Sequence, residues 1–236
     1  MKKDRIEIID ALRGLAVVLM VAHHFLFDLV TFLGAPEYLF TNPVLNIFHY
    51  FFAGLFIFLS GVSSNFSRSN VKRGLKTLAV ALAITLVTWA IGMPDIFGVL
   101  HLLAFCMLFY GLTRKLWEKI PRTAMALLCV ALTAFTAILT AHVTTTSKFL
   151  WMFGFPYPGF YSSDYFPILP WVFVFLLGTW AGEYIVEKKL PSWFYDTKVP
   201  FFPKVGQKAL LIYVVHQPVL FGITWLIALL TGQKIL

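Results

Sequence analysis

The sequence predicts an all-α polytopic membrane bundle of about seven transmembrane helices, with the N-terminus in the cytoplasm. Three observations predict it. Hydrophobic residues make up 59% of the chain and charged residues only 13%, against roughly 25% charged in a soluble domain, so there are too few charges to cover a water-facing surface. The apolar residues gather into runs close to the ~20 residues that cross a bilayer as a helix. The basic residues fall on alternate links between those runs.

The first run, 8–33, is longer than the apolar core of a signal peptide and has no small-residue cleavage site after it, so it reads as a retained helix. The second, 43–66, ends in Ser60-Gly61-Val62-Ser63-Ser64-Asn65, small residues that suit either close helix approach or a ligand. The third is 74–93. The fourth, 96–113, carries Gly98-Val99-Leu100-His101, and the fifth is 122–142. The sixth, 165–186, opens on Ser163-Asp164-Tyr165-Phe166-Pro167, with Pro170 close behind, which suits a first helical turn followed by a kink. Asp164 is placed either as a cap at that helix N-terminus or as a substrate contact at the external mouth. The seventh, 206–231, contains Pro218, which frees a backbone carbonyl one turn back.

The runs lack the period-2 alternation of a membrane barrel, and lipid does not tolerate open sheet edges. Cys106 and Cys129 lie in apolar runs and read as small core residues rather than a disulfide. The link 143–164, rich in aromatics, Gly and Pro, is expected to pack over the external mouth or to be simply an ordered loop. The link 187–205, with Pro191, Pro200 and Pro203, is expected to be semi-ordered. No repeat or soluble domain is visible, and the chain reads as one domain, 1–236.

Of the 19 lysines and arginines, those at Lys2, Lys3 and Arg5, at 68–76, at 114–122 and at 188–208 occupy alternate links. Arg13, Lys148 and Lys234 are the exceptions. The positive-inside rule puts these links, and the N-terminus, in the cytoplasm. The net charge of +8 is thereby assigned to the cytoplasmic face of a lipid bilayer and not to nucleic acid. A basic rim also suits an anionic cytosolic cofactor.

Ionisable residues inside a span are costly and are functional candidates. The first run has Asp10, Arg13, His24 and Asp28, spaced to lie near one helical face. Arg13 either pairs locally with Asp10 or helps bind an anion. His24 lies about 16 Å further along the axis, and Asp28, one turn on, is expected to hold its second ring nitrogen, as a general base requires. His23 points about 100° away and reads as a helix–helix contact. His49, His101 and His216 fall at comparable depth in the second, fourth and seventh runs. Buried histidines with carboxylates nearby imply a polar cavity. Arg13, Lys72 and Arg73 lie on its cytoplasmic side, and Asp28 and Asp164 toward the outside.

Taken in order, these residues form a pattern. Ile9-Asp10-Ala11-Leu12-Arg13-Gly14 followed by His24 is similar to type 3 membrane acyltransferases. The fuller set adds Leu55–Gly61, Gly98–His101, Ser163–Pro167, Pro170-Trp171 and Tyr213–Pro218. It resembles the heparan-α-glucosaminide N-acetyltransferase catalytic-domain family in its small bacterial form, along essentially the whole chain. The resemblance implies transfer of an acetyl or acyl group from cytoplasmic acetyl-CoA to a sugar or glycan amine or hydroxyl on the far side. It differs from the larger lysosomal relative, which has more spans, a luminal domain and a catalytic histidine in the loop region after its first span. No histidine lies between His24 and His49 here, so the base is His24, as in the type 3 pattern, or His49.

On this reading His24, Asp28, His49 and His216 are the catalytic candidates. His216 or His49 would steady the thioester oxyanion. Arg13, Ser60, Lys72 and Arg73 would meet the acyl-CoA donor, and His101, Asp164 and Tyr165 the acceptor. No metal is expected. A homodimer is compatible, since lipid-facing and dimer-facing surfaces have the same composition. The competing readings are a transporter of a small polar solute, and a haem or quinone protein ligated by opposed histidines such as His24 and His216.

Overall fold

The computed structural model describes residues 5–233. Lys2, Lys3 and Lys234 lie outside the described residues. Within them the helices are α1 Glu7–Leu33, α2 Tyr38–Thr41, α3 Pro43–Ser64, α4 Asn70–Ala90, α5 Val99–Trp117, α6 Arg122–His142, α7 Ile168–Val186, α8 Ser192–Asp196, α9 Phe202–Gln207 and α10 Ala209–Thr231. One 3-10 turn covers Trp151–Phe153. Seven of the helices, α1, α3 to α7 and α10, are long and apolar enough to cross a membrane. The protein is thus an all-helical, multi-pass membrane protein, as its hydropathy predicts.

Several ends differ from the sequence expectation, each for a local reason. The third span starts at Asn70 rather than 74 because the Ser69 hydroxyl caps it, accepting from the Lys72 backbone N–H. The fourth runs on to Trp117, where the indole N–H donates to Thr113 and Arg114 pairs with Glu118 one turn on. The link expected to be semi-ordered instead forms α8 and α9.

The chain divides into two compact units, Met1–Phe56 with Leu190–Leu236, and Ile57–Lys189. In the first, α1 packs against α9 and α10. A Cβ on Gly14 would run into the Phe202 carbonyl, and one on Gly206 into the Asp10 carbonyl. The glycine of the Asp-Ala-Leu-Arg-Gly motif is therefore a site of backbone-to-backbone contact. Glu7 fastens the chain just before α9, accepting from the Val199 backbone N–H at 3.1 Å and from Lys198 at 3.2 Å.

In the second unit α4 packs on α5, and α6 on α7, around Leu102, Phe175 and Leu176, all fully buried. The end of α3 meets α7 in the same backbone-to-backbone way: a Cβ on Gly61 would strike the Phe175 carbonyl, and one on Gly178 the Phe58 carbonyl. Asn65 donates to the Thr179 carbonyl at 2.7 Å. Cys106 and Cys129 are buried and free. Arg122, at the start of α6, pairs with Glu183 and Glu187 at the end of α7. Hydrogen bonds from Arg122 and then Lys189 hold the Glu187 carboxyl down at about 2.

Candidate active site

In the first unit α1 and α10 bring two imidazoles together. The rings of His24 and His216 are 4.8 Å apart between centroids and nearly perpendicular, at 80°. His24 Nδ1 lies 2.9 Å from the Met20 carbonyl, and His216 Nδ1 lies 2.6 Å from the Tyr213 carbonyl. A carbonyl only accepts, so each Nδ1 carries the hydrogen. In the neutral rings each Nε2 is then a lone pair. His216 is 8% exposed, and its Nε2 has no partner.

The expected bond from Asp28 to His24 is replaced. The Met20 carbonyl, one turn back on the same helix, takes the His24 ring hydrogen, while Asp28 is held from α10 by the Gln217 amide at 2.6 Å. Asp28 is fully buried, and its Oδ2 and the Gln217 Oε1 are without partners. His216 Nε2, Asp28 Oδ2 and Gln217 Oε1 thus form a group of bare acceptors. Such a group suits a ligand rich in hydroxyl or N–H donors.

His49 packs against His23. Its ring lies 4.0 Å from His23, which stacks on Phe40 at 4.9 Å and stands 6.1 Å from His24. His23, expected as a helix contact, is the link between the two candidates for the base.

The donor candidates are dispersed. Arg13 is bonded to Asp10 at 2.9 Å, and Asp10 also meets Gln207 and Arg5, which is the local ion pair among the two readings of Arg13. Ser60 is buried beside Gly61, Lys72 is exposed, and Arg73 is half-buried on the first turn of α4. A cavity of about 320 Å³ lies in the second unit, with Asn65, Tyr110, Arg114, Trp117, Trp180 and Glu183 among its walls. Its arginines are paired with Glu118, Glu183 and Glu187.

The acceptor candidates gather in the second unit. Residues 162–166 run beside 94–97. Ser163 N–H donates to the Pro94 carbonyl and Phe166 N–H to the Phe97 carbonyl, each at 2.9 Å, and Ile96 N–H donates to the Ser162 hydroxyl at 3.0 Å. This pairing delays the sixth span to Ile168. It also turns Asp164 away from the helix it was expected to cap: its Oδ2 accepts from the Val99 N–H at 3.1 Å, at the start of α5. Tyr165 donates its hydroxyl to the Trp151 carbonyl, and burial pushes its phenol up to about 12.

Phe97 stacks on His101 at 5.8 Å. His101 Nε2 is 3.1 Å from the Thr85 hydroxyl, which gives its own proton to the Asp95 carbonyl at 2.6 Å. Nε2 is therefore the donor and Nδ1 the lone pair.

Asp95 is the residue the sequence reading passed over. It is 7% exposed. Both its carboxyl oxygens and Asp164 Oδ2 converge on Gly98, where a Cβ would lie 2.7 Å from each. Burial, and then the charge of Asp164, push the Asp95 carboxyl up to about 7, against a bond from the Gly98 N–H. Its position in Pro94-Asp95, just ahead of a predicted span, was the available signal.

Among the described residues no group of three or more His, Cys, Asp and Glu is placed to hold a metal. The seven long apolar helices and the His24–His216 pair define a multi-pass membrane protein with acid–base groups set inside its spans. The chain belongs to the heparan-alpha-glucosaminide N-acetyltransferase catalytic family, whose model matches residues 5–218, and is by that membership a transmembrane acetyltransferase. No curated protein and no solved structure matches it.

Proposed function

We propose that the protein, acting over 1–236 as one catalytic domain, moves an acetyl group from cytoplasmic acetyl-CoA to a sugar amine or hydroxyl on the external face of the cell membrane. The observation that supports this beyond family membership is the His24–His216 contact, with both Nδ1 hydrogens spent on backbone carbonyls and the Nε2 atoms left as lone pairs.

His24 Nε2 takes the proton of the acceptor hydroxyl or amine as that group attacks the thioester carbonyl. The C–S bond breaks, and the thiolate receives the proton back from the imidazolium. The bare acceptors His216 Nε2, Asp28 Oδ2 and Gln217 Oε1 take hydrogen bonds from the incoming acceptor. His216 is reassigned in this scheme. Its single N–H in the neutral ring goes to Tyr213, so the protonated His24, rather than His216, is the donor that faces the oxyanion. Attack on the thioester by a histidine Nε2, giving an acyl-imidazole, is the variant. Arg73 and Lys72, with Arg13 and Ser60, are the candidates for holding the phosphates of the donor, and His101, Asp164 and Tyr165 the candidates for holding the acceptor.

The test is transfer of labelled acetyl from acetyl-CoA to glucosamine, and to N-acetylglucosamine as a hydroxyl-only acceptor, by protein reconstituted in vesicles. Transfer to either supports the reading, and the preferred acceptor tells amine from hydroxyl. A folded protein that neither binds acetyl-CoA nor releases CoA overturns it.

A further inference from the structure

The paired segments of the second unit hold a charge arrangement centred on Asp95, a residue the transfer scheme does not use. Asp95 and His101 are each 7% exposed. Asp95 Oδ1 and His101 Nδ1 have no hydrogen-bond partner, and both are acceptors unless a proton is added. The carboxyls of Asp95 and Asp164 share the Gly98 position and lie no more than twice 2.7 Å apart.

The groups around them are few. Helix α4 presents the neutral hydroxyls of Thr85 and Thr88, the latter accepting from the Asp95 N–H at 3.0 Å. Helix α5 presents His101. The segment 162–166 presents Asp164 and Tyr165, whose phenol is bonded to Trp151. Among the described residues no lysine or arginine forms an ion pair with Asp95. A buried carboxyl this close to a second one does not ionise without cost, and buried bare acceptors call for a donor. One proton answers both demands.

We propose that Asp95 holds a proton beside the Asp164 carboxylate, and that this proton latches segment 94–98 to segment 162–166. With the proton bound, the repulsion between the two carboxyls is removed and the backbone pairing is closed. When the proton leaves to water, the two carboxylates repel and the pairing loosens around Phe97, Trp151 and Tyr165. The near-neutral value of Asp95 puts the exchange within the physiological pH range. The inference concerns the second unit alone and stands whether or not the acyl-transfer reading does.

Hydrogen exchange of the full chain in lipid nanodiscs, at pH 6 and pH 9 and corrected for the intrinsic chemical rate, tests it. In the wild type the amides of Ile96, Val99, Ser163 and Phe166 are expected to lose protection at the higher pH by on the order of tenfold. Asp95→Asn is expected to keep it at both. Equal protection at the two pH values in the wild type, or the same loss in a folded Asp95→Asn, overturns the proposal. Infrared difference spectra of the wild type need no variant: a protonated-carboxyl band that vanishes between the two pH values is expected, and its absence at pH 6 also overturns it.

Discussion

Gln217 donates its side-chain amide to the carboxylate of Asp28 across 2.6 Å, and this bond sets α10 beside α1 at the level where His216 meets His24. Gln217→Ala would leave Asp28 wholly buried with neither oxygen bonded. We expect a loss of about 1–3 kcal/mol, read as a lower melting temperature in detergent, with a fall in transfer rate as His216 loses its neighbour. An unchanged melting temperature would show the bond to be dispensable.

The two candidates for the base separate in a simple pair of variants. His24→Ala should lower acetyl transfer by roughly 10²–10⁴-fold without unfolding the protein, because His24 is only half-buried. His49→Ala should cost far less, since His49 packs on His23 while His24 packs on His216. Initial rates with labelled acetyl-CoA decide, and the reverse order would move the base to His49.

Glycine substitutions should act by position. Gly206→Ala drives a methyl into the Asp10 carbonyl and should sharply reduce folded yield. Gly222→Ala, where nothing lies within 4 Å of the new methyl, should be tolerated or stabilise by about 0.4–1 kcal/mol. Size-exclusion profiles and melting curves of the two proteins compare them directly.

Stability should depend on pH through Asp95. Its carboxyl lies near 7 when folded and near the ordinary 3.8 when unfolded. Between those values the folded state binds the extra proton, so stability falls as pH rises from about 4 to about 7 and changes no further above that. Asp95→Asn should remove this slope. Melting temperatures across pH 4 to 8 for both proteins measure it, and parallel curves would contradict the assignment.

Donor binding gives a last comparison. Arg73→Ala should weaken acetyl-CoA binding in calorimetric titration, by about 1.5–3 kcal/mol if a charge-assisted contact is lost. Arg122→Ala should leave it unchanged, because Arg122 is already taken up by Glu183 and Glu187. Equal affinities for wild type and Arg73→Ala would place the donor elsewhere.

Hydropathy and charge alternation were enough to find all seven spans, because burial in lipid imposes a length and a composition that a single sequence displays. That His24 and His216 sit at one level of their helices was also legible from helical rise. Their partners were not. That His24 bonds Met20, and Asp28 bonds Gln217, depends on rotamers and on the register of two distant helices, and spacing along one helix carries neither. The pairing of 94–97 with 162–166 is made largely by backbone groups, which are the same in every residue. For that reason Asp95 gave no sign beyond its place before a span, and Asp164 appeared to cap the helix next to it in sequence rather than α5. The short helices α8 and α9 were hidden by their prolines, one of which, Pro203, sits in the first turn of α9 where its missing N–H costs nothing.

The same pairing has a mechanical consequence. Helices α5 and α7 both emerge from it, one just after Phe97 and the other just after Phe166. With the pairing closed, neither can slide along its own axis without straining the bonds that hold the other. While the pairing is closed, a shift of one helix end is passed directly to the other through these bonds.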